Sequence, residues 1–214
     1  MTRHKLWPTY FLEDINPSHK EIDRQLRQYI YLFDTNTKQS KMGRALKRNI
    51  SEPPFDFLEL AHKECEEFET LISWIDSKMR SFLNPLIRPS IERNSRWAIH
   101  HCESWYHITR EGGFHSPHMH SNTSWGWIYY FDNIDVRKYG GSNKFYNPLS
   151  QHVTYVDVGL RYMETLDWSF FEVSPKAGKL VVYPGWLLHD AQPYRGKKDR
   201  LILSGNTRVL ATDA

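Results

Sequence analysis

From Pro85 onwards the apolar residues stop recurring at helical spacing and gather into short runs rich in Trp, Tyr, Phe, Ile and Val. The runs cover 96–109, 124–132, 152–158, 168–174, 179–183 and 200–206, and Gly, Pro, Asn and Asp clusters such as Gly112-Gly113 and Gly140-Gly141 separate them. Many short strands joined by turn residues predict an all-β core in the form of a sandwich, barrel or jelly roll.

Before Pro85 the period is helical. Ser18 followed by Glu21 is a capping-box signature, and Ile22, Leu26, Ile30 and Leu32 continue it, which predicts a helix over 18–33. From Phe57 the residues Leu58, Ala61, Cys65, Phe68, Leu71, Ile72, Ile75, Met79 and Phe82 fall three or four apart, predicting one long amphipathic helix with Cys65 as an inert core residue. Leu6 to Leu12 contains Pro8 and fits an edge strand at a sheet margin, whereas residues 34–54 are polar, carry Gly43 and Pro53-Pro54, and read as a long loop or lid. A length of 214 residues fits one domain: residues 1–90 supply the edge strand and covering helices, and 91–214 supply the β core.

Composition narrows the partners. Basic minus acidic residues is 28 − 25 = +3, too mild to indicate nucleic acid or a membrane surface, and the Lys and Arg residues of 36–48 could serve an anionic metabolite, a peptide or solubility. The longest apolar stretch, Trp125 to Phe131, is far short of the roughly 20 residues that span a bilayer. Two cysteines make neither a Cys-rich zinc site nor a disulfide framework, and no signal-peptide pattern follows Met1, so the expectation is a reduced, cytoplasmic protein; one compact domain with no recognisable docking module makes a small molecule the expected substrate. Eleven His, eight Trp and twelve Tyr are many for this length and point to a site.

The sharpest local feature is Gly113-Phe-His-Ser-Pro-His-Met-His-Ser121. His118 and His120 are two apart, so on a strand both imidazoles share a face and can meet one metal ion; His115 has the opposite parity and is the weaker candidate. His189 lies just past the apolar run that ends at Pro184-Gly185, where a buried strand displays functional groups rigidly. Eleven residues on, Arg200 opens the run Leu201-Ile202-Leu203, and a guanidinium beside a metal site offers a bidentate clamp for a carboxylate. His100-His101 does not make a second site, because successive strand residues face opposite ways, and Glu103 and Asp190 are reserve carboxylate ligands.

These blocks together resemble the 2-oxoglutarate/iron(II)-dependent oxygenases, and in particular a small branch of them with HxH in place of HxD. The resemblance is carried by Ser104-Trp105-Tyr106 through Gly112, by His118-Met-His120 followed by Ile128-Tyr129-Tyr130, and by Gly140-Gly141 leading to Phe145-Tyr-Asn-Pro148. It is carried most specifically by Ala177-Gly-Lys-Leu-Val-Val-Tyr-Pro184 through His189, Pro193-Tyr194, Gly196, Arg200, Ser204 and Asn206, and it spans about residues 100–208. It implies a double-stranded β-helix, or cupin-like jelly roll, in which His118, His120 and His189 hold iron(II) and Arg200 pairs with the distal carboxylate of 2-oxoglutarate. Tyr106, Ser204 and Asn206 would add hydrogen bonds to this co-substrate. The implied reaction uses dioxygen to oxidise, most simply to hydroxylate, an unactivated C–H bond with release of succinate and CO2; desaturation or ring closure would use the same centre.

Three departures from the family pattern bear on the site. His120 stands where the wider superfamily has a carboxylate, which leaves the centre more cationic. Gly126-Trp127 replaces the Ser-Gly of the branch, which brings an indole near the pocket and makes Trp125 and Trp127 candidate substrate-pocket residues beside their plainer role as core aromatics. Ile202 interrupts an R-x-S pattern that usually contacts 2-oxoglutarate. The rivals are a three-histidine iron dioxygenase that needs no 2-oxo acid, favoured by the missing carboxylate, and a non-catalytic metal- or sugar-binding jelly roll. Arg200 at its family-like position favours the 2-oxoglutarate reading.

Overall fold

Along the strand Trp125–Tyr130 the side chains divide between two cores: Trp127 and Tyr129 enter one apolar cluster, Ile128 and Tyr130 the other. That alternation, inherent to an extended chain, organises the whole molecule. The computed structural model describes residues 2, 9–36, 47–53, 56–87, 96–148 and 169–212. Its elements are β1 (Leu12–Ile15), α1 (His19–Asn36), β2 (Lys47–Ser51), α2 (Phe57–Glu64), α3 (Glu66–Leu83), a 3-10 turn (Asn84–Leu86), β3 (Arg96–His118), β4 (Trp125–Tyr130), the one-turn α4 (Val136–Tyr139), β5 (Asn143–Tyr146), β6 (Phe170–Val173), β7 (Lys179–Pro184), β8 (His189–Ala191) and β9 (Arg200–Thr212).

The strands form one sheet in the order β1-β7-β4-β9-β3-β8-β5-β6, with β2 also paired to β3 and every named pair antiparallel. The sheet folds over on itself as a jelly roll. Ile128 and Tyr130 of β4, Val181 and Tyr183 of β7 and Ile202 of β9 share a buried cluster with Phe145 of β5 and Val173 of β6, strands at the far end of the order. The Tyr130 hydroxyl crosses the same space to donate to Asn143 Oδ1 at 2.9 Å.

The opposite face of β3, β4, β7 and β9 is covered by helices. Ile22, Leu26 and Ile30 of α1, Phe57 and Ala61 of α2 and Phe68, Leu71, Ile75 and Met79 of α3 pack on Tyr106, Ile108, Trp127, Tyr129, Leu180, Val182, Leu201 and Leu203. Full burial of each such aliphatic side chain stabilises the fold by about 1.5–3 kcal/mol. Asp56 ties the layers together, since its Oδ1 accepts both the Leu58 amide that starts α2, at 2.9 Å, and the Ser104 amide of β3, at 2.8 Å.

Several expectations change. The single helix over 57–82 is broken at Cys65, which takes an extended conformation (φ −136°, ψ 104°). The break gives Glu66, Glu67 and Glu69 a new helix N-terminus, where the macrodipole favours acidic side chains, instead of a mid-helix position where they would repel one another. Cys65 is nonetheless buried in the helical core, and desolvation raises its thiol pKa. The edge strand lies at Leu12–Ile15, at the end of the sheet beside β7, and the expected loop contains β2. Strands β5 and β8 had no sequence signal of their own, and the strand expected at 152–158, residues 37–46 of the basic segment and Leu6-Trp7-Pro8 lie outside the described residues.

The most consequential irregularity is a register shift in the β3–β9 ladder. His101 pairs with Thr207 and Glu103 with Asn206, so Cys102 is an extra residue, and it switches the facing of the odd-numbered positions. His101 therefore turns towards α3, where its Nε2 is 3.6 Å from Asp76, whereas Trp105 and His107 turn to the other face.

Two outcomes follow for stability. A Cβ on Gly205 would sit 2.4 Å from the Trp127 ring, so Gly205→Ala lowers the urea midpoint by an amount equivalent to about 1–3 kcal/mol. Burial lowers the pKa of His101 below its ordinary 6.5 despite Asp76. As pH falls below 6.5 the unfolded chain takes up a proton that the folded chain resists, so stability drops, by at most about 1.4 kcal/mol per pH unit for this group. Urea denaturation at pH 7.5 and 5.5 should show a shallower loss for His101→Gln than for the native chain.

Candidate active site

His118 is the last residue of β3 and pairs directly with His189, the first residue of β8. His120 lies beyond the strand end, so strand parity does not place it; its amide donates to Gly185 O at 2.9 Å, which draws the two chain segments together. The ring centroids are 5.3 Å (118 to 120), 4.3 Å (118 to 189) and 5.0 Å (120 to 189) apart, and one ligand nitrogen from each ring lies within 4.8 Å of the others. Among the described residues no other three His, Cys, Asp or Glu side chains converge in this way.

Hydrogen bonds fix which nitrogen each ring presents. The Nδ1 atoms of His118 and His189 lie 2.9 Å from the carbonyl oxygens of Ser116 and Leu187, and a carbonyl can only accept, so both Nδ1 atoms carry a proton and Nε2 is the atom each neutral ring offers to a metal. This is how metal-binding histidines are oriented. Burial, reinforced by His118, pushes the pKa of His189 down to about 3, so its imidazole is neutral. The Tyr183 hydroxyl, on a ring kept neutral by burial, lies 3.2 Å from His189 Nε2.

Arg200 is fully buried at the start of β9. Its Nη2 donates to Asn143 Oδ1 at 2.9 Å, its carbon lies 5.8 Å from the Tyr130 ring centroid, its Nε has no hydrogen-bond partner, and no carboxylate pairs with it among the described residues. Desolvation lowers its pKa accordingly. Asn143 also donates through Nδ2 to Asp190 O at 2.8 Å, and Phe145, two residues along β5, stacks on His189 at 5.5 Å. The guanidinium and the three imidazoles thus border one interior, walled by Ile128, Tyr130, Tyr183 and Ile202.

The remaining expected site residues divide. Ser204 lies on the interior face, its hydroxyl donating to Trp127 O at 2.7 Å. Asn206 is engaged at both ends, by His120 Nδ1 and by Glu103, so it holds a histidine instead of reaching for a co-substrate. Tyr106 faces the helices: its ring meets Phe57 at 5.3 Å and its hydroxyl donates to Asp34 at 3.1 Å, because the Cys102 irregularity gives the interior to Trp105 and His107. Trp125 and Trp127 also face the helices, Trp125 packing on Phe82 at 5.4 Å, so neither lines the pocket. In the departure at 126–127 the glycine is what shapes the interior, since a Cβ on Gly126 would come within 2.8 Å of the Tyr183 ring.

Asp190 is occupied by Tyr146 and Gln192, both at 2.6 Å, and does not join the cluster. His115, set aside on parity, returns to the site through a register shift between His115 and His118 and stacks on His118 at 3.8 Å. Trp105 (5.6 Å from His120), Asn143 and Tyr183 were missed: Asn143 sits on a strand of four residues, and Tyr183 read as part of a buried run.

An unpaired buried cation costs stability. Arg200→Met should raise the stability of the metal-free protein by about 1–3 kcal/mol in urea denaturation, while removing the charge from the interior.

Comparison with known proteins agrees with this geometry. No protein of curated function matches the chain. The fold is similar to that of a Pseudomonas putida prolyl-4-hydroxylase (14% identity, 94% of this chain and 92% of that one, TM-score 0.61). It is also similar to a Trichoplax adhaerens prolyl hydroxylase in complex with a hypoxia inducible factor peptide fragment (14%, 95% and 83%, 0.59). A third similar structure is Streptomyces hygroscopicus HygX with nickel and 2-oxoglutarate bound (13%, 93% and 82%, 0.54). Residues 103–206, just under half of the chain, match the family described as "Putative 2OG-Fe(II) oxygenase", so this segment is similar to the 2-oxoglutarate/iron(II)-dependent oxygenases, enzymes that use iron(II), 2-oxoglutarate and dioxygen.

Proposed function

We propose that His118, His120 and His189 hold one iron(II) through their Nε2 atoms, that Arg200 binds the distal carboxylate of 2-oxoglutarate, and that the enzyme hydroxylates an unactivated C–H bond of a small-molecule substrate. The observation that carries this reading is the buried guanidinium of Arg200, which pairs with no carboxylate among the described residues and whose Nε finds no hydrogen-bond partner among them. A dicarboxylic co-substrate supplies the missing anion and acceptor. A three-histidine dioxygenase without 2-oxoglutarate, or a sugar-binding module, has no use for such a group.

When bound, iron with 2-oxoglutarate and dioxygen supplies the oxidising power: one oxygen atom enters succinate as CO2 leaves, the other enters the substrate C–H bond. The chain's own part is to bind and to exclude. The histidines present Nε2 atoms, Arg200 with Asn143 fixes the co-substrate's far end, and Ile128, Tyr130, Phe145 and Ile202 keep water from the interior. Met119, Trp186 and Leu188 expose apolar side chains beside the three histidines, a rim suited to the apolar portion of a small organic substrate.

Anaerobic iron(II) added to metal-free protein with 2-oxoglutarate should develop a weak visible charge-transfer band that requires both ligands. In Arg200→Ala the 2-oxoglutarate affinity read from that band should fall about thirtyfold or more, the loss of about 2 kcal/mol expected when a buried charged pair is broken. Tight iron binding without a band would overturn the assignment of 2-oxoglutarate.

A further inference from the structure

His120 differs from the other two histidines in what holds it. His118 and His189 face backbone carbonyls, whose polarity is fixed, whereas His120 Nδ1 faces the side-chain amide of Asn206, which can present either oxygen or nitrogen. Glu103 removes that freedom. Its Oε1 lies 2.6 Å from Asn206 Nδ2, and an ionised carboxylate only accepts hydrogen bonds, so the amide nitrogen is held on the Glu103 side and the amide oxygen on the His120 side. An amide oxygen also only accepts, so His120 must carry its proton on Nδ1 and keep a lone pair on Nε2, as the other two rings do. The shift at Cys102 makes this possible, because it sets Glu103 directly across the ladder from Asn206.

We propose that Glu103 is a positioning residue of the metal centre: through Asn206 it selects the Nδ1-protonated tautomer of His120 and places, two hydrogen bonds from the ligand nitrogen's ring, the negative charge that HxH chains lack among their ligands. This rests on the reading of His118, His120 and His189 as an iron site. The carboxylate strengthens the Asn206–His120 bond by polarising the amide, and a more strongly hydrogen-bonded imidazole is a better donor to a cation.

The experiment pairs histidine-nitrogen NMR of 15N-labelled metal-free protein with Co(II) titration, on the native chain, Glu103→Gln, and the double variant Glu103→Gln with Asn206→Asp. The native chain should show His120 protonated at Nδ1. Glu103→Gln lets both amides turn, so His120 should become a tautomer mixture and Co(II) affinity should fall about 10- to 100-fold, with the His118 and His189 signals and the urea midpoint unchanged. Asn206→Asp in that background restores an acceptor-only group against His120 and should recover the single tautomer and most of the affinity. A purely structural role for Glu103 would give no such rescue. Unchanged tautomer and affinity in Glu103→Gln, in a native chain that binds Co(II), overturn this proposal alone. A native chain that binds no Co(II) at the three histidines overturns the metal reading and this proposal with it.

Discussion

The antiparallel ladder between β3 and β9 decides what each half of this molecule can do. It runs from Arg96 opposite Thr212 to Thr109 opposite Arg200, and every residue on it must face either the helices or the interior. Because the ladder slips by one at Cys102, His101 goes to the helical side and Glu103, Trp105 and His107 go to the other. On β9 the even positions Arg200, Ile202, Ser204 and Asn206 occupy the interior, and the odd positions Leu201 and Leu203 enter the helix-packed core. The buried guanidinium, an apolar wall and the support for His120 are thus interior positions of one strand.

The interior concentrates costs that the helix-packed core offsets. A buried guanidinium that no carboxylate pairs with among the described residues, and imidazoles drawn together, are unfavourable on their own. The residues of α1, α2 and α3 that seal the opposite face bury fully and carry no such penalty. Stability and function are therefore segregated by side-chain parity on the same strands. On the proposed reading, removing the Arg200 charge would improve the first at the expense of the second, as expected where binding requires an unpaired group to await its partner.

Much of this was legible in the sequence, and the limits of legibility have physical causes. The period change at Pro85 showed the β core, and His118, His120, His189 and Arg200 could be picked out because their identities and order are specific; the three histidines converge in space. Tyr106, Trp125 and Trp127, named as site candidates, face the helices, and for the two tryptophans this is the plainer role the sequence also offered. Parity along a strand is visible in sequence, but which parity meets the helices depends on the slip at Cys102 and on the sheet's folding, neither of which leaves a local signal. Strands of three or four residues, such as β5 and β8, are too short to show a period, so Asn143 was overlooked although it holds Arg200. His120 was expected on a strand with His118; it reaches the same place through the Gly185 carbonyl and the Asn206 amide.

The central claim is that three imidazoles, from one strand end and the strand paired with it, hold a single iron ion. X-ray absorption at the iron edge of anaerobic iron(II)-loaded protein counts imidazole ligands through their multiple-scattering signature. The account predicts three imidazoles in the native chain and two in His120→Ala, consistent with the three converging side chains. Fewer than three in the native chain, or a count that His120→Ala leaves unchanged, would contradict it.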